Sequence, residues 1–438
     1  MAALLVRTLL VLISGLAAVS ASVAALLGLG EERILAFTGL IALLLVLPFL
    51  LRPHLVRPSG PPLVLAGLGA AIGVMGLVIT FDPLDARVLL PVLVLLAAPN
   101  LARFLPSEEL PRFVWRLLSC YVVATFLYQV IAEPAAVARG YESIVRYDPT
   151  GSVVMHSSLS LIHLLLSITR LGQPEPARSR LAVALLGSMS LGMVLLTATR
   201  TALLTLVLFA VLHLAAAPRL RPAVARIAGS AFGLAVAFAA WTAFNDSFWR
   251  RLTGAGGDFS SGRWASISHW LALAGDHPWG LGLGAVRERL AEGRPALDGA
   301  MLLEWPHNEL VRFYIEAGPP GLLFVILLLV ILLRRALRTA RAADDPALRT
   351  LALAIAADLI AEALLQNLLN AIYHATVLIL ILALATAPAR RAAAWVPSRR
   401  DRARPIGSKP DAGGGSAAWV APASSIRACR DGGPTIAH

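Results

Sequence analysis

Residues 321–335 read GLLFVILLLVILLRR: an unbroken apolar run that stops at a pair of arginines. With the residues before it, the run makes a candidate membrane span over 309–333. A stretch of eighteen or more mainly apolar residues is the sequence mark of a transmembrane helix. Working outward, the same texture recurs. Candidate spans fall near 8–28, 34–51, 62–80, 87–104, 113–132, 152–170, 181–198, 200–217, 223–244, 309–333, 349–366 and 370–388. Composition agrees. The 438 residues are 58% hydrophobic and only 15% charged, whereas soluble domains carry about 25% charged residues. The fold class expected is therefore all-α: a polytopic membrane protein with about twelve transmembrane helices.

The formal charge is +12, which in a soluble protein would suggest nucleic acid. Here the charge is nearly all arginine, with Lys409 the only lysine, and it gathers between apolar runs and in the tail. No nucleic-acid partner is expected. One alternating set of connections holds Arg52 and Arg57; Arg103, Arg112 and Arg116; Arg170, Arg178 and Arg180; Arg219, Arg221 and Arg226; and Arg334, Arg335, Arg338, Arg341 and Arg349. The other set holds Arg33, Arg87, Arg139, Arg146 and Arg200. The first set has about three times as many, and cytoplasmic loops carry the excess. Both termini are then cytoplasmic, and 245–308 is a long loop on the outer side. A transmembrane unit over 1–388 and a basic, disordered cytoplasmic tail over 389–438 are expected. Cys120 and Cys429 imply neither a disulfide framework nor a cysteine metal site.

The outer loop contains Trp249, Trp264, Trp270, Trp279 and Trp305, and Arg263 to Ala274 has helical apolar spacing. Short helices at the membrane surface are expected, with tryptophan at headgroup depth. The glycines of Gly280-Leu-Gly-Leu-Gly284 lie in no βαβ pattern, so they predict a tight turn where backbone meets backbone or ligand rather than a nucleotide loop. Pro319 and Pro320 should kink the span that contains them and free backbone carbonyls.

Polar residues within apolar spans need partners. Arg200 stands in Thr197-Ala-Thr-Arg-Thr-Ala202 on the outer side, against the charge bias, either as a snorkelling helix-end arginine or as a functional one. His307 opens the span near the water boundary, as a structural hydrogen-bonder or as a catalyst. Glu316 reads as a structural polar partner. His156 and His163 share a face, as do Asp358 and Glu362. These serve interhelical hydrogen bonding or a proton path.

Together these residues resemble the O-antigen ligase and polymerase family of bacterial membrane glycosyltransferases. Thr199-Arg200-Thr201-Ala202 resembles the family's Ser/Thr-Arg-Thr-Ala turn. Ser261-Gly262-Arg263, followed by His277-Pro278 and Gly280 to Gly284, resembles its outer-loop segment. His307-Asn308 with Glu316-Ala-Gly318 and Gly321 resembles its His-Asn…Glu-x-Gly-x-x-Gly signature. The resemblance implies an enzyme of the bacterial inner membrane. It would move a glycan from an undecaprenyl-pyrophosphate carrier to a hydroxyl of lipid A core or of another glycan, on the periplasmic face, without metal or cofactor. Arg200 and Arg263 would bind the pyrophosphate, which planar guanidinium forks suit. His307 would be the base for the acceptor hydroxyl or a phosphate ligand. Scattered Asp246, Asp258, Asp276 and Asp298 show no metal spacing. The rival class is a transporter or lipid-glycan flippase built on Asp358, Glu362, His156 and His163.

Overall fold

The computed structural model describes 60–79, 90–102, 109–132, 153–217 except 175 and 198, 263–293, and 303–386 except 304, 367 and 369–371. It also describes isolated helical residues at 8, 11, 224–225, 227–229 and 233. All regular elements among these are helices: α1 (Gly60–Ile79), α2 (Leu90–Leu101), α3 (Leu110–Ala132), α4 (Val153–Leu171), α5 (Ala177–Thr197), α6 (Arg200–Ala216), α7 (Arg263–Gly275), α8 (Ala285–Glu292), α9 (Glu309–Ala342), α10 (Pro346–Leu365) and α11 (Ile372–Ala385). The expected spans near 62–80 through 200–217, and the last three, each coincide with one helix. Apart from residues 8 and 11, the first two spans lie outside the described residues, as do most of the ninth and the tail 389–438.

Four helices, α3, α4, α5 and α9, are long and apolar enough to cross a membrane, and α6 and α11 are shorter apolar helices. Helix α10 carries Arg349, Asp358 and Glu362, yet it is buried along most of its length. It packs against α3, α4, α6, α9 and α11. A helix apolar all round belongs at the centre of a bundle, and here the few charged groups of α10 are carried inward with it. Asp345 caps its start through the Ala347 amide, and Pro346 occupies the first turn, where its missing N–H costs nothing. The lipid-type faces are elsewhere: Leu181 and Leu185 of α5 and Val207 and Val211 of α6 are exposed.

Helix α9 is broken as its sequence predicts. Gly318 has φ 61° and ψ −155°, ahead of Pro319 and Pro320. Pro319 has no N–H for the Ile315 carbonyl, and Pro320 none for that of Glu316. Both carbonyls are taken by the glycine turn of the loop: the Leu281 amide donates to Ile315 at 2.8 Å and the Gly282 amide to Glu316 at 2.9 Å. The turn therefore replaces the two helical bonds that proline removes. Contact is closest at Gly280 (φ 88°), where a Cβ would stand 2.5 Å from the Glu316 carbonyl oxygen.

The loop has its own small core. Helix α7 begins at Arg263 as the apolar spacing predicts, and α7 and α8 both pack on α9. Trp270, Ala274, Val286, Leu303 and Ile315 are buried together. Trp270 is thus enclosed by protein, beside Ile315 and Val286. Trp264 and Trp279 are 70% and 64% exposed.

Candidate active site

The C-terminal end of α10 organises the site. Helix ends leave carbonyls without intrahelical partners, and those of Leu364 and Leu365 are met by two side chains from different motifs. Arg263 Nη1 donates to the Leu365 carbonyl at 3.2 Å. Asn308 Nδ2 donates to the Leu364 carbonyl at 3.1 Å. Gln366, the next residue, donates through Nε2 to the Thr201 hydroxyl at 3.1 Å. Segments around 200, 263 and 307, far apart in sequence, are thereby drawn to one helix end.

Each segment is also fixed locally. Arg200 is the first residue of α6, and its N-cap Thr199 does not cap the helix with its side chain. The Thr199 hydroxyl instead bonds Ser157 of α4 at 2.7 Å. The α6 first-turn amides lack that side-chain cap, and a helix N-terminus favours anions. Arg263 opens α7. Asn308 caps α9 by accepting from the Val311 amide at 3.1 Å, so one side chain both starts α9 and ties it to α10. His307, immediately before it, is half-buried and has φ 45°. A non-glycine residue in this left-handed region carries strain, which clusters at functional sites.

Glu316 has the structural role expected of it, with a partner that sequence reading overlooked. Arg312 lies between two glutamates of its own helix, Glu309 at 3.3 Å and Glu316 at 3.2 Å, all three buried. The i, i+3 and i, i+4 spacing of Glu309, Arg312 and Glu316 is the signal that was readable. Gln366 was also missed, although it continues the Asp358–Glu362 face by another i+4 step.

The other intramembrane polar groups serve interhelical bonding. His163 joins Ser119 of α3 at 2.9 Å and Ser190 of α5 at 2.6 Å. His156 meets the Tyr121 hydroxyl at 2.8 Å. Asp358 and Glu362 share a face, as their spacing predicts, and both contact Ser158 of α4 at 2.8 Å. His374 of α11 reaches Glu362 at 2.9 Å.

Of the motif residues, Arg200, Arg263, His277, Pro278, Gly280 to Gly284, His307, Asn308, Glu316, Gly318 and Gly321 are described; Ser261 and Gly262 lie outside the described residues, as do Asp246, Asp258 and Asp298. The arrangement defines a helical membrane protein with a basic site, built where a loop, a broken helix and a central helix end meet. Residues 182–326, about a third of the chain, match the O-antigen ligase family. The match runs from α5 into α9 and so contains Arg200, Arg263 and His307, which ties the resemblance to the segments that converge on α10. No curated protein matches the chain.

Proposed function

We propose that the protein transfers a glycan from an undecaprenyl-pyrophosphate carrier to a hydroxyl acceptor at the periplasmic face of the bacterial inner membrane. The reading is carried by the meeting of the Arg200, Arg263 and His307 segments at Leu364–Gln366. The leaving group is a lipid pyrophosphate, whose charge grows as the glycosidic bond breaks. Two guanidinium groups and the start of α6 supply positive potential there, and such preorganised groups are the largest source of rate in comparable chemistry. His307 takes the acceptor proton or orients the hydroxyl. The acceptor oxygen bonds the anomeric carbon as the carrier pyrophosphate departs. This charge arrangement needs no divalent cation at the reacting atoms.

Ligase and polymerase activities require the same donor site. Deleting the gene and examining lipopolysaccharide and secreted polysaccharide separates them. Lipid A core without long glycan, while carrier-linked polymer persists, identifies a ligase acting on lipid A core. Products limited to one repeat unit identify a polymerase. Unchanged glycans of both kinds, with a defect in export of a small solute, would replace the reading with the transporter class.

A further inference from the structure

Helix α10 carries a second polar cluster outside the glycan site. Asp358 and Glu362 project from one face, and His374 of α11 stands opposite them; all three are buried. One donor atom from each lies within 4.8 Å of the other two. His374 Nε2 is 2.9 Å from Glu362 Oε1 and 4.0 Å from Asp358 Oδ2. Ser158 and Thr205 add hydroxyls, at 2.8 Å from both carboxylates and 3.1 Å from Asp358 respectively.

The cluster is short of positive partners. Ser158 has one hydroxyl proton for two carboxylate oxygens. Asp358 Oδ2 is buried with no hydrogen-bond partner among the described residues and faces the imidazole. Two carboxylates in an apolar bundle are costly unless their charge is balanced. A doubly charged cation beside a neutral imidazole balances it.

We propose that Asp358, Glu362 and His374 form a binding site for one divalent transition-metal cation of the Zn²⁺ class. The donor set selects this class. One imidazole nitrogen with two carboxylates suits zinc and its neighbours, while magnesium and calcium call for all-oxygen shells. Ligand bonds of about 2.0–2.2 Å in a tetrahedron place donor atoms roughly 3.4 Å apart, between the two separations seen. Glu362 moves slightly away from His374 and Asp358 slightly toward it. Ser158 and Thr205 stay on Asp358 Oδ1, the oxygen turned away from the imidazole, and Ser158 also holds Glu362 Oε1, the oxygen that would ligate, the orienting role that outer hydroxyls take around metals. The site fastens α4 and α6 to α10 and α11. At 1.5 Å per residue it lies roughly 6–12 Å along α10 from Gln366, so it braces the helix end that gathers Arg263 and Asn308 and stays clear of the reacting atoms.

The experiment uses the full-length protein, purified without a polyhistidine tag and reconstituted in lipid nanodiscs. After equilibration with Zn²⁺ and desalting, metal content is measured by mass spectrometry. About one equivalent is expected for the wild-type protein, and none above background for Asp358→Asn or His374→Gln. Arg263→Lys should keep the metal while losing glycan transfer, so failure here and failure of the transferase reading give different results. Co²⁺ is a probe that needs no variant: the visible spectrum of a tetrahedral N/O site, abolished by added Zn²⁺, is expected. Wild-type protein without bound metal, or binding unaltered in both folded variants, overturns the proposal. If either variant fails to fold, the Co²⁺ spectrum decides, and its absence overturns the proposal equally.

Discussion

Charge alone does not explain why the basic residues at the α10 end are arginines. A lysine at 263 could still reach the Leu365 carbonyl that Arg263 holds, but it lacks the planar fork with which a guanidinium binds phosphate oxygens. Arg200→Lys and Arg263→Lys should therefore each lose most glycan transfer in membranes matched for protein level. His307→Ala should cost about a hundredfold to ten-thousandfold, the usual worth of a positioned base. Wild-type rates in all three would refute the site. Arg312 obeys a different logic. It bridges the buried Glu309 and Glu316, and its removal takes a charge partner from both carboxylates at once. Arg312→Ala should destabilise by about 3–5 kcal/mol, measured as a fall in thermal unfolding midpoint and in accumulation. Glu316→Gln removes one negative charge and leaves the Arg312–Glu309 pair, so it should retain substantial activity. Removing exchangeable Mg²⁺ and Mn²⁺ with EDTA should leave transfer in washed membranes running, because Arg200 and Arg263 carry the charge-stabilising role; a cation enclosed by the buried Asp358, Glu362 and His374 is separate from this test.

Among the elements, α9 and the glycine turn must be treated as one unit. The two carbonyls freed at Pro319 and Pro320 are the two that Leu281 and Gly282 occupy. Gly280→Ala puts a Cβ against the Glu316 carbonyl and forces an unfavourable φ. The turn should detach from α9 and expose Trp270, with a loss of about 1–3 kcal/mol. A red shift of tryptophan emission before global unfolding would register it, and an unshifted spectrum with normal transfer would show the clamp to be dispensable. Much of this unit was legible in the sequence. The proline pair predicts freed carbonyls, the glycine run predicts close backbone approach, and apolar spacing predicts α7. That the two features satisfy each other was not legible, because neither pattern encodes which distant segment it meets. The same holds for the site. Arg200 stands out against the charge bias and His307 at the start of a span, while Arg263 is marked by the family resemblance of its motif. Gln366 does not, since a glutamine at a span's end is unremarkable until Thr201 is found beside it. His374 was hidden in a plain apolar span, and its meaning comes only from α10 turning Asp358 and Glu362 toward it.

At the scale of the whole molecule, the question is on which side of the membrane the α10 end lies. The arginine excess predicts 334–349 inside and 245–308 outside. Within α9 the arrangement is consistent: Glu309 starts the helix beside the candidate site, and Arg334, Arg335, Arg338 and Arg341 occupy its far end. Pro319–Ala342 would extend about 36 Å at 1.5 Å per residue, enough to cross a hydrocarbon core of about 30 Å. Helix α10 then returns, so that Leu364–Gln366 comes back to the side from which α9 departed. A carrier lipid with its pyrophosphate at the outer headgroups would meet Arg200 and Arg263 there. Cysteine labelling tests this without any assumption about substrate. Cys120 is exposed, so the background is first cleared with Cys120→Ser and Cys429→Ser. Glu292 on α8 and Asp344 between α9 and α10 are both exposed to solvent, and each is changed to cysteine in that background. An impermeant maleimide added to the periplasmic side of cells should label the Glu292→Cys protein and should label Asp344→Cys only after the inner membrane is opened. The reverse pattern would put the basic helix ends outside and the α10 end inside. A donor glycan presented at the periplasmic face could not then reach Arg200, Arg263 or His307, and the proposed reaction would have to be abandoned along with the orientation.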